Sequence, residues 1–179
     1  EVVEKTAPIN DVNSKRKSGY YISDNLSRFY FRYIFRYSSQ MSIMDSEVYY
    51  KKYIEKDFEE EYVPHVFESV CKQYLIRLNR IGAIEPVFEK IGKYYYDDPI
   101  NHKNGKFDVV TEDENGYIFY EVKFTKTPIN DAIIQKEINQ IQATGLKCYK
   151  YVFVSRSGFN CKKYDNVSFI DLKDMYTPF

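Results

Sequence analysis

Tryptophan is absent from this chain, glycine and proline are sparse at seven and six, cysteine occurs three times and histidine twice in 179 residues. Each shortage narrows the possibilities. Cys71, Cys148 and Cys161 are odd in number and stand in no Cys-x-x-Cys or Cys-His spacing, so they read as reduced thiols and not as a disulfide framework or a zinc site. His65 and His102 lie far apart without ligand spacing, which leaves surface or capping roles. Gly-x-x-x-x-Gly-Lys does not occur, so the backbone cradle that holds nucleotide phosphates is missing and ATP is no ligand of this stretch. No run reaches the roughly 18 apolar residues of a membrane span and no signal peptide opens the chain, so a cytoplasmic protein that does not enter a membrane is expected. Net charge is lacking too: 26 basic residues balance 26 acidic ones. Without a global field, contact with a nucleic acid has to come from a local patch.

What the chain has in abundance is tyrosine, 19 residues of it, much of it beside Lys and Arg. The length suits one domain with an appendage, able to bury roughly 70% of its unfolded surface. Residues 1–19, rich in Asn, Ser, Lys and Pro, read as linker or loop. Tyr20-Tyr21-Ile22 suits a short strand, and Ser23-Asp24-Asn25 offers an N-cap to the helix LSRFYFRYIFRY. There Arg28, Arg32 and Arg36 recur at i, i+4, i+8, with Phe31, Ile34 and Phe35 on the other side. Such a stripe either grips phosphates, with the aromatics stacking bases, or is a solvated face that answers the acidic run Glu55 to Glu61. A second helix is expected from Ser46, with Tyr49, Tyr50 and Tyr53 toward the core, ending at Pro64. The next, from Pro64 to Leu78, places Val66, Phe67, Val70, Cys71, Tyr74, Leu75 and Leu78 on one face. Glu68 sits at the edge of that face, with Lys72 in position for an i,i+4 pair. The pieces AIEPVFEKIG and KYYYDD read as one or two strands, punctuated by Gly92 and Pro99. Thr127-Pro128 suits a helix start, Ile134, Ile138 and Ile141 form its stripe, Gly145 ends it, and CYKYVFVS is a buried strand.

The stretch FDVVTEDENGYIFYEVKF, residues 107–124, carries the chemistry. Two apolar runs flank the break Glu112-Asp113-Glu114-Asn115-Gly116, as in a hairpin. On the second run Tyr120, Val122 and Phe124 alternate with Phe119, Glu121 and Lys123, so Glu121 and Lys123 share a face. Charges on a packed face need compensation. Antiparallel pairing through the loop brings Asp108 near Glu121, and two close carboxylates call for a cation between them, a hard divalent ion being the natural one.

Asp108, twelve further residues, then Glu121-Val122-Lys123 resembles the motif of the PD-(D/E)xK phosphodiesterase superfamily, with Phe107 where the motif has proline. The Gln-xxx-Tyr signature of some branches is absent, since Thr144 follows Gln140 by four. The resemblance implies that Asp108, Glu121 and the Val122 carbonyl are ligands of Mg²⁺ or Mn²⁺. It also makes Lys123 orient water or stabilise charge, with Glu68 as a supporting acid from the preceding helix. It implies an α/β fold, a restriction-endonuclease-like core of helix-β-β-β-helix-β with a mixed sheet flanked by helices, here over residues 63–179, with a helical extension over residues 20–62.

A narrower resemblance runs through YYISDNLSRFYFRYIF, VFESVCKQYL, IGKYYYDD, FDVV, YEVKFTK and VFVSRSGF. In this order they are similar to the uncharacterised C-terminal domain of archaeal-type AAA-like ATPases of prokaryotes. It implies an upstream ATPase and winged-helix region in cis, with residues 1–19 the end of the linker from it. The expected function is metal-dependent cleavage of DNA or RNA. The alternatives are a catalytically silent module that binds nucleic acid or regulates the ATPase, and one that makes it a homo-oligomer.

Overall fold

The computed structural model describes residues 2–98 and 103–177. The expected break at Pro99 and the role of His102 lie outside the described residues. The N-terminal stretch is more than linker: β1 (Val3–Thr6) pairs antiparallel with β2 (Gly19–Ile22). Between them, Ile9 N–H donates to the Lys93 carbonyl at 2.8 Å and Asn10 Nδ2 to the Tyr95 carbonyl at 2.7 Å. These two residues cover the outer edge of the main sheet. β1 carries no apolar alternation because nearly all of it is exposed, which is why the sequence does not announce it.

Asp24 caps α1 (Asn25–Phe29), its carboxylate accepting from the Ser27 amide at 2.6 Å. The helix then widens into a π-helical turn, Tyr30–Phe35. Short helices α2 (Ser38–Met41), α3 (Ser46–Tyr53) and α4 (Glu55–Asp57) follow, then a second π-helical turn, Phe58–Tyr62, leading into α5 (Val63–Arg80). The core of this extension is aromatic: Tyr33, Tyr49 and Tyr62 are buried with Ile54, and Phe29 and Phe58 pack against them. Two expectations are corrected here, at Pro64 and Tyr50. Pro64 does not end a helix: Val63 keeps helical angles and helix runs through the proline, whose missing N–H falls in the first turn of α5, where it is not needed. Phe31 and Phe35 are exposed, packed on each other and on Tyr30. Tyr50 is exposed also, while Tyr49 is buried and Tyr53, half-buried, packs against the same core.

The main sheet has five strands in the order β3 (Lys90–Asp98), β4 (Lys103–Asp113), β5 (Gly116–Lys123), β7 (Cys148–Ser155), β9 (Val167–Asp171). β3, β4 and β5 form an antiparallel meander, and β7 and β9 run parallel to β5. AIEPVF lies outside β3, and Gly92 lies within it: a Cβ there would meet Ile9 Cγ2 at 2.8 Å, so glycine is what lets the N-terminal segment lie on this edge. The hairpin turn is tighter than expected, only Glu114 and Asn115, with Gly116 at φ 131° in a conformation other residues avoid.

The β5–β7 crossover carries β6 (Ile129–Asn130), which pairs with β8 (Phe159–Asn160), and α6 (Asp131–Ala143). The cap of α6 is Asn130, whose side chain accepts from the Ile133 amide at 3.1 Å, and not Thr127. Pairing of Ile129 with Phe159 keeps the chain extended past Pro128 and delays the helix. α6 packs on one face of the sheet, with Ile134, Ile138 and Ile141 against Phe107, Val110, Phe119, Tyr151 and Phe153. α5 packs on the other, with Leu75 against Val109, Ile118, Tyr120 and Val152, and Phe67 and Cys71 against Val154. Counting α5, α6 and the strands of the main sheet, and leaving aside the two-residue β6, the order from α5 to β7 is thus helix, three strands, helix, strand, within a mixed α/β fold. Among the described residues no helix is long and apolar enough to cross a membrane.

Candidate active site

The site forms where two neighbouring strands part. β4 and β5 pair from Asp113↔Gly116 to Val109↔Tyr120, and there the pairing stops. β5 continues alongside β7, through Glu121↔Phe153 to Lys123↔Ser155, while β4 stays with β3. Continuing the hairpin register would set Asp108 opposite Glu121, so the two candidate acids stand at the mouth of the gap.

A bulge in β4 re-aims Asp108. Gly92 pairs with Val110 and Tyr94 with Phe107, so Asp108 and Val109 together oppose Lys93. Phe107 and Val110 both face α6 and Val109 faces α5, which puts the bulged pair on the α5 side. Asp108 Oδ1 accepts from Lys106 Nζ at 2.7 Å, and Lys93 Nζ is 3.6 Å away. Burial opposes the charge of Lys106, but the Asp108 carboxylate outweighs it and raises the pKa of that ammonium. Glu68 comes from α5. Its partner is His65, at 3.0 Å, and not Lys72. Burial pushes the Glu68 carboxyl up, and the nearby charge of Asp108 pushes it further.

On β5, strand alternation carries Glu121 and Lys123 to the α6 side. Lys123 Nζ stands 2.5 Å from Glu121 Oε1 and 3.3 Å from Oε1 of Glu137 on α6. Burial raises the pKa of Glu121, Lys123 lowers it, and the charges of Glu137 and Asp108 raise it again. Lys123 loses stability as a cation through burial, but the two carboxylates more than compensate and hold it protonated. Val122 packs its side chain on the α5 side with Phe67 and Val154, leaving its carbonyl as the oxygen expected to face an ion.

Glu137 is the residue that sequence reasoning missed. It is 9% exposed and lies inside the stripe Ile134, Ile138, Ile141, which was read only for its isoleucines. An acid at i+3 within an apolar stripe is the signal that could have found it, because a buried carboxylate is retained only against a partner.

The charges therefore form two groups that meet at the strand gap: Glu68, Asp108, Lys106 and Lys93 on the α5 side, Glu121, Lys123 and Glu137 on the α6 side. Among the described residues no three acidic, imidazole or thiol groups are gathered closely enough to hold an ion as they stand. The donor chemistry nevertheless fits one. Every candidate ligand is a hard oxygen, and the carboxyls of Glu68 and Glu121 are both raised by burial and by other carboxylates, a penalty that a cation relieves. The lysines that neutralise the acids sit on flexible stems and can move.

The arginine row is divided. Arg28 donates through Nε and Nη2 to the Ile22 carbonyl at 3.0 and 2.8 Å. Arg32 forks onto Asp57 at 2.7 and 2.6 Å, so for this residue the acidic run is the partner observed. Arg36 is exposed, its guanidinium carbon 5.4 Å from the centre of the Tyr37 ring.

The chain is similar to an uncharacterised protein of Methanocaldococcus jannaschii, 29% identical over 179 residues, an alignment that takes in 97% of this chain and 38% of that protein. It therefore spans well under half the length of that relative. A family model matches residues 30–141, from the first π-helical turn into α6. Glu68, Asp108, Glu121, Lys123 and Glu137 all fall within that segment, which is well over half the chain. By that match the chain belongs to DUF234, a family of archaeal and bacterial proteins of unknown function.

Proposed function

We propose that this chain is a nuclease-like domain of the PD-(D/E)xK type that hydrolyses phosphodiester bonds in DNA or RNA with Mg²⁺ or Mn²⁺, in the cytoplasm and in cis to an AAA-like ATPase region. The observation that carries the reading is the parting of β4 and β5 at Asp108 and Glu121, with Lys123 on Glu121. The element order from α5 to β7 supports it, since it is the order that the resemblance implies.

Asp108, Glu121 and the Val122 carbonyl would hold the ion, with Glu68 in support. A bound divalent ion would lower the pKa of water and neutralise charge on the phosphoryl group. Lys123, kept protonated by Glu121 and Glu137, is suited to donate hydrogen bonds to a phosphate oxygen and to hold the attacking water, more than to take its proton. As the water oxygen bonds to phosphorus and gives up a proton to solvent, one P–O ester bond breaks, its leaving oxygen takes up a proton from solvent, and charge on the equatorial oxygens meets this ammonium.

Labelled single- and double-stranded DNA and RNA, incubated with the purified chain and Mn²⁺, test the reading. Cleavage by wild type that Asp108→Ala and Lys123→Ala both abolish is the expected result. Cleavage that survives both changes refutes it.

A second reading has its own support. Asp108 and Glu121 each already hold a lysine at 2.7 and 2.5 Å, an arrangement in which the motif is neutralised internally. The domain would then be a silent nuclease-derived module that binds nucleic acid through Arg36 and neighbouring cations, or regulates or oligomerises the ATPase. Nucleic-acid binding without turnover under any divalent ion favours this reading.

A further inference from the structure

Away from the strand gap, the helical extension holds a cleft made of two adjoining hollows, about 360 and 320 Å³, with Tyr37, Tyr53 and Asp57 lining both. Each is large enough for a small ligand. The Tyr37 and Tyr53 rings lie against one another, 4.7 Å between centres and tilted by 35°. A cation flanks each ring: Arg36 lies 5.4 Å from the centre of Tyr37 and Lys52 lies 5.4 Å from that of Tyr53.

The ion pairs of the lining are Arg32 with Asp57 and, at 4.0 Å, Lys56 with Glu60. Among the described residues, no carboxylate lies within 4.0 Å of Arg36 or Lys52, although the charge of Arg36 helps to lower the pKa of Asp57. Asp57 is already answered by Arg32, and it also accepts from the Tyr33 hydroxyl. Four cationic side chains line the cleft against three carboxylates, and the positive surplus lies in the smaller hollow, where Arg32 and Arg36 face Asp57 alone, while the larger sets Lys52 and Lys56 against Asp57, Glu60 and Glu61. The wall residues Arg32 and Tyr33 belong to one π-helical turn and Glu60 and Glu61 to the other. Such turns are rare and concentrate at functional sites.

A guanidinium and an ammonium with no carboxylate in contact can take an anion, and the guanidinium fork matches phosphate geometry. Two tyrosines between them add a surface for a planar ring. We propose that this cleft binds a nucleoside phosphate, the phosphate held by Arg36 in the smaller hollow, the base laid against Tyr37 and Tyr53, and Lys52 adding positive charge from the other hollow. The ligand is either a free mononucleotide or the 5′-phosphorylated end of a strand, which share this chemistry. The site goes beyond the nuclease reading and does not depend on cleavage.

Calorimetry without divalent ions tests it, with adenosine 5′-monophosphate, adenosine, and a decanucleotide with or without a 5′-phosphate as probes. Wild type, the double variant Arg36→Ala/Lys52→Ala and Asp108→Ala are compared. A probe with a 5′-phosphate should bind wild type and Asp108→Ala alike, while the double variant and the probes without a 5′-phosphate each lose about tenfold or more, as expected for a charge-assisted pair. Arg36→Lys/Lys52→Arg, which keeps the charge, should restore much of the affinity. Binding of the mononucleotide identifies the free ligand. Binding confined to the 5′-phosphorylated strand identifies the strand end. Both altered residues are exposed, and an unchanged melting temperature of the double variant shows that the fold is kept. The proposal is overturned if no 5′-phosphorylated probe binds, if the double variant binds as tightly as wild type, or if removing the 5′-phosphate leaves affinity unchanged.

Discussion

Glu137 is a carboxylate in a row of isoleucines, and its only hydrogen-bond partner among the described residues is Lys123, at 3.3 Å. Replacing a buried ion by an apolar side chain of similar length often leaves stability unchanged or improves it. Glu137→Met should therefore melt at or above the wild-type temperature yet cleave more slowly, by about tenfold to a hundredfold, the usual effect of removing a group that orients a catalytic one. A lower melting temperature with an undiminished rate would make Glu137 structural. Lys123 would keep Glu121 in this variant, so the loss should fall on turnover more than on substrate affinity. The other members of the site were legible because a strand repeats every two residues: Glu121 and Lys123 had to share a face, and Asp108 had to lie across the hairpin. Glu137 was hidden because its helix was read for its apolar positions. The partner of Glu68 was misjudged because His65 at i−3 and Lys72 at i+4 are equally near in sequence, and only side-chain packing chooses between them.

At the scale of elements, the extension is tied together by Asp57, which joins the first π-helical turn to α4. Arg32 chiefly holds this carboxyl below its ordinary value of 3.8, and burial only partly opposes it. A depressed carboxyl adds stability above its unfolded value and loses it as pH falls through the folded one. The melting temperatures of wild type and Asp57→Asn should thus differ most near neutrality and converge below about pH 3.8. A gap that is the same at neutral and acid pH would show that the Arg32–Asp57 pair does not set it. At the sheet edge, Gly92→Ala forces its new methyl against Ile9, 2.8 Å away, and should destabilise by about 1–3 kcal/mol, the usual cost of overpacking. Urea denaturation measures it, and an unchanged midpoint would mean that the N-terminal segment is not held on β3. Helices and strands with regular periods were legible, from α5 and α6 to β7. The continuous helix through Pro64 was not, because proline usually marks a break and here the first turn of α5 tolerates it. β1 was not either, because an exposed strand of four residues has no buried face to leave a pattern.

For the whole molecule, the sequence of elements was readable because each core strand and helix carries its own apolar signal, and the three-strand meander with its helix crossover follows from short connections. The bulge that turns Asp108 toward α5 was not readable, since one extra residue between Gly92 and Tyr94 pairing leaves no mark in composition. That bulge divides the charges between the two faces of the sheet, and a divalent ion at the strand gap is what would unite them. Melting of wild type and Asp108→Ala during a Mn²⁺ titration tests this directly. Saturation at about a hundred times the dissociation constant adds about 2.7 kcal/mol of stability, and the wild-type melting temperature should rise by several degrees while that of Asp108→Ala stays level. An unmoved wild type, or an equal rise in both proteins, would contradict a metal site built on these carboxylates.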